Sequence, residues 1–164
     1  MERMNLDYQR QDSTLTLKQA LDEYYQANPE LLDVNKFKNE TGEFFRCHDR
    51  IHVIFGCDTS FADEAKADFW TMMGADIGFR NYLKLAASPV VRDLHEDLKA
   101  KMTADAKVRL REDIRRGFLR ALFAPMRIYF KARRMHRKWP WKNSDQFLDR
   151  PLKDIRQEFG IEII

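Results

Sequence analysis

The chain has 164 residues, a formal net charge of +3 and 44% hydrophobic residues, which fits one globular domain with a true core. No run approaches the roughly 18 uninterrupted apolar residues of a membrane span, and Met1 to Ser13 is polar and mixed in charge, unlike a secretory signal. Only two cysteines occur, Cys47 and Cys57, which argues against a disulfide framework and for free thiols in a cytoplasmic protein.

Taken in chain order, the pattern predicts an all-α, single-domain helical bundle over 1–164, with 1–13 as a flexible N-terminus. Thr16 with Gln19 can cap a helix that puts Leu17, Ala20, Leu21, Tyr24 and Tyr25 on one face and stops before Pro29. Asn35 to Glu43 is polar, either loop or the start of the next helix. That helix carries Phe44, Phe45, His48, Ile51, His52 and Phe55 on one stripe and ends at Gly56. Asp58, Thr59 and Ser60 make a turn, and Ser60 with Asp63 has the spacing of a capping box. A second helix then runs through Glu64, Phe69, Trp70 and Met73. So short a connection predicts an antiparallel helical hairpin.

Gly74 and Gly78 interrupt the pattern, and a short helix is expected over 79–87. Ser88-Pro89 reads as a cap with proline at the first helical position. Residues 90–102 and 104–123 read as helices, with Pro125 kinking or restarting the last one, which continues to about Arg137. Pro140 ends it, and Asn143 or Ser144 can open a final short helix. No segment alternates apolar and polar residues for long enough to suggest a sheet.

The chemistry concentrates in the hairpin. His48 and His52 are four apart, one helical turn, and Glu64 opens the next helix where the chain folds back. Imidazole and carboxylate are donors that first-row divalent metals accept together. Asp49 lies about 100° round the helix from His48, as a fourth ligand or an outer-shell partner. Asp68, one turn beyond Glu64, is a candidate outer-shell partner or proton acceptor, against the plain alternative of a surface acid. The string is not that of an HExxH protease, since Asp49 stands where the glutamate would be. It also lacks the ExxH pairs of di-iron bundles. Cys47 points away from the histidine face, and His95 and His136 have no comparable surroundings.

The run His48-Asp49-Arg50-Ile51-His52-Val53, then Gly56, then Glu64-Ala65-Lys66-Ala67-Asp68-Phe69-Trp70, resembles the coenzyme Q biosynthesis protein 4 family, whose hallmark is HDxxH, eleven residues, then Glu. Weaker likeness covers Leu17 to Pro29 and the closing Pro151-Leu152, Arg156 and Gly160-Ile161. Asp63 departs from the glycine that often precedes the glutamate. The resemblance implies that His48, Asp49, His52 and Glu64 ligate a divalent metal, zinc first, with iron, manganese or magnesium as alternatives. It implies a role in ubiquinone biosynthesis, on the ring of a polyprenylated benzoate, by oxidative decarboxylation and hydroxylation. A groove lined by Phe and Met would take the isoprenoid tail. The alternative is a non-catalytic isoprenoid-lipid-binding or scaffold protein of a quinone biosynthesis complex, with a structural metal. A prenyl-phosphate phosphohydrolase is a weaker rival, because no second His and Asp set is evident.

Charge is unevenly spread. Residues 1–91 hold ten Lys or Arg against fifteen Asp or Glu, whereas 92–142 hold sixteen against six. Within 108–141, basic residues interleave with apolar ones up to Trp139 and Trp141. An interfacial helix needs that combination, with aromatic rings at headgroup depth and cations on anionic lipid. The expected partners are therefore a polyprenylated or isoprenoid lipid and the inner face of the cell membrane, with other quinone-biosynthesis proteins and a homodimer also allowed. Nucleic acid fits less well, since no binding module for it is evident. A solvated basic face on a core helix remains the plain alternative.

Overall fold

The computed structural model describes residues 6–29, 31, 40–88 and 104–164, and these form an all-α bundle. Six α-helices are described: α1 (Leu17–Ala27), α2 (Glu40–Phe55), α3 (Phe61–Gly74), α4 (Phe79–Ala86), α5 (Ala104–Arg134) and α6 (Leu152–Phe159). Short 3-10 turns precede α1 (Asp7–Gln9) and α6 (Asp145–Phe147). Among the described residues there is no strand, only isolated bridges at Thr16–Pro151 and Ala75–Trp139. The expected helix over 90–102, the proline cap at 89 and His95 lie outside the described residues.

Local chemistry sets the boundaries. Thr16 accepts from the Gln19 N–H while Gln19 reaches back to Thr16, so the predicted capping box opens α1. Gly56, at φ +69°, stops α2, and Gly160, at φ +68°, closes α6 in the left-handed cap that suits glycine. The sequence placed the last helix opening at Asn143 or Ser144. Ser144 instead opens a single 3-10 turn, and α6 starts only after Pro151, whose fixed φ pre-organises the helical entry.

One expectation needs correction and another is narrowed. Residues 6–13 are not a flexible tail: Tyr8 is fully buried, its hydroxyl donates to the Cys57 carbonyl, and the Asp7 and Tyr8 N–H groups both donate to the Glu23 carboxylate. Of the two outcomes expected at Pro125, a kink or a restart, the restart does not occur, since α5 is continuous to Arg134. Proline costs the interior of a helix about 3 kcal/mol. Here Gly117 before the proline and Ala124, Ile128 and Ala132 beside and after it are buried on one face, so both halves are held to the same surface.

Two aromatic clusters fill the core. Phe55 stacks on Trp70 at 4.3 Å between α2 and α3, and Trp139 packs on Phe147 and Phe159 at 5.2 and 5.3 Å. Helix α3 packs chiefly on α5. Gly117 lets the backbones approach, since a Cβ there would lie 3.1 Å from the Ala62 Cβ. Asp113 of α5 accepts the Phe61 N–H at 2.6 Å, placing an anion at the positive end of α3.

Helix α5 also shows an unusual outer surface. Phe118, Leu119, Leu122, Phe123, Met126 and Phe130 are each more than half exposed. At 100° per residue they span an arc of about 140°, opposite the buried Gly117, Ala124 and Ile128. Arg116, Arg120, Arg127 and Arg134 follow one edge of that arc. The paired tryptophans do not join this surface: Trp139 and Trp141 are buried. Their basic sequence neighbours suggested an interface position, but the chain returns through Pro140 and packs both rings into the core. No helix among the described residues is long and apolar enough to cross a membrane.

Candidate metal centre

The site is built at the hairpin between α2 and α3. His52 is 1% exposed, its ring against Tyr24 at 5.5 Å, and His48 stacks on Phe44 at 5.9 Å. The two imidazoles lie 4.8 Å apart, centroid to centroid, as one helical turn dictates. After Gly56 reverses the chain, Glu64 in the first turn of α3 comes to 3.5 Å from His52 Nε2. Asp68, one turn on, comes to 3.5 Å from His48 Nε2. His52 pairs with Glu64 and His48 with Asp68, so the helices run in opposite directions, as the short connection predicts.

The turn itself is held differently from the prediction. Ser60 makes no side-chain cap to α3. Instead the Asp58 carboxylate accepts the Ser60 N–H at 2.8 Å, and the Asp63 carboxylate accepts the Asp58 N–H at 3.0 Å. Asp63 is thus occupied by the loop, and Lys66 pairs with it. The loop acts on the site through a backbone group: the Asp58 carbonyl lies 3.0 Å from His52 Nδ1.

That contact fixes the proton. A carbonyl only accepts, so Nδ1 must carry hydrogen, and in the neutral ring the Nε2 lone pair then faces the Glu64 carboxylate. Two acceptors at 3.5 Å need a proton or a cation between them. Burial, the largest single influence, lowers the His52 pKa, but the hydrogen bond and charge of Glu64, with Asp49 and the Asp58 carbonyl, outweigh it and leave the pKa raised. Burial likewise raises Glu64, but the hydrogen bond and charge of His52 outweigh it, so the Glu64 pKa is lowered.

His48, His52 and Glu64 form a group that could hold a metal ion, each offering a ligand atom within 4.8 Å of the others. The donor set suits the ion. Bonds of about 2.0–2.2 Å in a tetrahedral shell set ligand atoms about 3.4 Å apart, close to the 3.5 Å between His52 Nε2 and Glu64 Oε2. A backbone carbonyl on the far nitrogen is the usual way a ligating histidine is oriented.

Asp49, the remaining sequence candidate, is not in the group. It lies a third of a turn away, buried, and its Oδ2 accepts the Tyr25 hydroxyl at 2.8 Å. Burial pushes its carboxyl pKa up. Three ligands therefore converge where four were expected from the resemblance. The histidines form the floor, while Glu64 and Asp68, with side chains 45% and 48% exposed, form a lip open to solvent. Cys47 and Cys57 are buried free thiols, and burial pushes Cys47 up to about 11, keeping it protonated and a poor ligand. His136 is exposed at the surface, as expected, with its backbone N–H donated to Phe159.

A cleft of about 670 Å³ lies beside α4, lined by Ile77, Leu85 and Trp141 with Asp76, Lys84 and Lys142. It is not the expected groove of Phe and Met. Trp141 in its wall packs on Phe44, the ring stacked on His48, so two ring contacts separate the cleft from the metal group. Tyr82, which no sequence pattern marked, is buried and donates its hydroxyl to Asp68. No family model, curated protein or solved structure matches this chain.

Proposed function

We propose that this chain binds a divalent metal through His48, His52 and Glu64 and acts with it on the ring of a polyprenylated benzoate or quinone intermediate of ubiquinone biosynthesis. The observation that carries the metal part is the convergence of ligand atoms from His48, His52 and Glu64 within 4.8 Å of one another, with His52 oriented by the Asp58 carbonyl. The ring chemistry comes from the likeness of the HDxxH and Glu spacing to the coenzyme Q biosynthesis protein 4 family. Zinc is the first candidate, because two imidazoles and a carboxylate are common donors for it. Iron also accepts two histidines and one carboxylate.

When bound, the metal would supply positive charge against the oxygen atoms of the ring substituents, and a redox-active metal could also take part in oxidation. The protein's own residues do the rest. His48 and His52 would hold the ion at the buried floor, and Glu64 would offset its charge at the lip. Three ligands, with Asp49 turned to Tyr25, leave a coordination position for substrate, which favours a working site over a closed structural one. The cleft past Trp141 is the proposed seat of the tail, its apolar wall being Ile77 and Leu85. The exposed arc of α5, edged by arginines, is the proposed contact with anionic lipid, from which such a substrate would be drawn.

The test is metal analysis of untagged protein, with mass spectrometry of its organic extract and co-sedimentation with anionic vesicles. About one zinc or iron per chain, lost in His52→Ala, with a prenylated ring in the extract, is the expected result. Metal-free protein that takes up no zinc or iron would overturn the metal reading. Metal without any isoprenoid, and no binding to a supplied prenylated benzoate, would overturn the substrate.

A further inference from the structure

The HDxxH and Glu pattern does not include Asp68, and nothing in the sequence ties it to Tyr82. The fold brings both to His48. Asp68 Oδ1 lies 3.5 Å from His48 Nε2 and accepts a short hydrogen bond from the Tyr82 hydroxyl. Tyr82 reaches it from α4 and is 5% exposed, so its ring is fixed by packing, while Asp68 itself stands half in solvent. A half-exposed carboxylate on a helix surface would otherwise sample several rotamers. Tyr82 removes that freedom and holds the carboxylate toward α2.

The two histidines are thus oriented by different means. His52 has a backbone carbonyl from its own hairpin loop, which no substitution can remove. Among the described residues no backbone group meets the His48 ring; its polar neighbour is a side chain, carried by the facing helix and anchored by a third element. We propose that Asp68, locked by Tyr82, is the positioning residue for His48 in the metal group, completing by side chains what the Asp58 carbonyl does for His52. This rests on the metal reading above. It makes α4 part of the site: movement of that helix alters the His48 ring, and with it the affinity for the ion. Outer partners of this kind, when removed, typically lower metal affinity by about 10- to 100-fold.

The test uses cobalt(II) as probe, with full-length wild type, Asp68→Ala, Asp68→Asn, Tyr82→Phe and His52→Ala. Affinity is read by chelator competition and ligand geometry by the visible bands. Asp68→Ala should bind about 10- to 100-fold more weakly, with bands unchanged in energy and strength, because the three ligands are the same. Asp68→Asn should lose less, since it keeps a polar partner, and Tyr82→Phe should lose a smaller part in the same direction. Should Asp68→Ala fail to fold, Tyr82→Phe alone decides.

Wild-type affinity in both Asp68→Ala and Tyr82→Phe would overturn the proposal while leaving the metal reading intact, provided His52→Ala loses cobalt. Changed band energies in Asp68→Ala would also overturn it, since Asp68 would then be a ligand itself. No cobalt bound to wild type would overturn both.

Discussion

Helix α2 carries two buried polar centres that solve the same problem in opposite ways. At its C-terminal end the Arg156 side chain, fully buried, donates to the carbonyls of Val53, Ile54, Tyr8 and Arg10 at 2.5–2.9 Å. Val53 and Ile54 belong to the last turn, whose carbonyls have no partner within the helix. A cation there also meets the negative end of the helix dipole. Burial pulls the guanidinium down to about 10, but the carbonyls accept from it on several sides. This centre is complete. On His52, the residue before Val53, the network stops short: the ring donates to the Asp58 carbonyl and, when neutral, turns a lone pair to a carboxylate. The first centre needs nothing from outside and holds the fold. The second is finished only by a proton or an ion, which is why a ligand is argued for there and not at Arg156.

Breaking the complete centre should have the largest effect. Arg156→Met keeps most of the volume but strands the Tyr8 and Ile54 carbonyls, each costing about 1–3 kcal/mol when unsatisfied, while the Val53 and Arg10 carbonyls keep the Gly56 and Ser13 N–H groups. Allowing for relaxation and non-additivity, a loss of about 2–4 kcal/mol is expected, read from urea unfolding. A variant within about 1 kcal/mol of wild type would mean that water reaches those carbonyls and that the contrast is false.

The contrast also explains what could be read before the fold was known. Helix α1 with its Thr16–Gln19 box, the Gly56 stop, the hairpin and the meeting of His48, His52 and Glu64 are local consequences of spacing, and all were legible. Asp49, whose 100° step round α2 allows a fourth ligand or an outer-shell partner, accepts the Tyr25 hydroxyl of another helix, a contact that spacing alone does not give. The fate of Ser60 was missed because Asp58 and Asp63 are better acceptors for the same turn. Trp139 and Trp141 were misplaced for a longer-range reason: their burial depends on Phe147, Phe159 and Phe44, brought in from other elements. Arg156 and Tyr82 have no local signature at all. Each acts on groups more than a dozen residues away, which periodicity cannot anticipate.

A middle-sized effect is expected at the joint between the two centres. Gly56 has φ +69°, and a Cβ there would come within 3.3 Å of the Ile163 side chain. An L-residue in the left-handed region costs roughly 1–2 kcal/mol, so Gly56→Ala should lower stability by about that amount, with Ile163 giving way at the surface. Because the same turn sets His52 against Glu64, metal affinity should fall as well. Lost stability with unchanged metal affinity would show that the hairpin holds its ligands without this turn.

The smallest effect separates the centres by pH. In chelator-treated protein, His52 has a raised pKa and Glu64 a lowered one, each because their mutual attraction outweighs the burial that opposes it. The raised imidazole stabilises the folded state fully below its ordinary value near 6.5, and that contribution fades as pH rises through the folded value. The lowered carboxyl stabilises above its ordinary value near 4.5, and its share fades as pH falls through the folded value. Both are present in full together only between about 4.5 and 6.5, the ordinary values of the two groups. The stability difference between wild type and Glu64→Gln should therefore peak in that window and shrink on either side. It should stay modest, because solvent reaches Glu64 and screens the pair. Adding zinc or cobalt should keep the difference large above the window, since an ion holds the lone pair and carboxylate together where the proton has left. A difference flat in pH, with or without metal, would mean that His52 and Glu64 are as self-sufficient as Arg156.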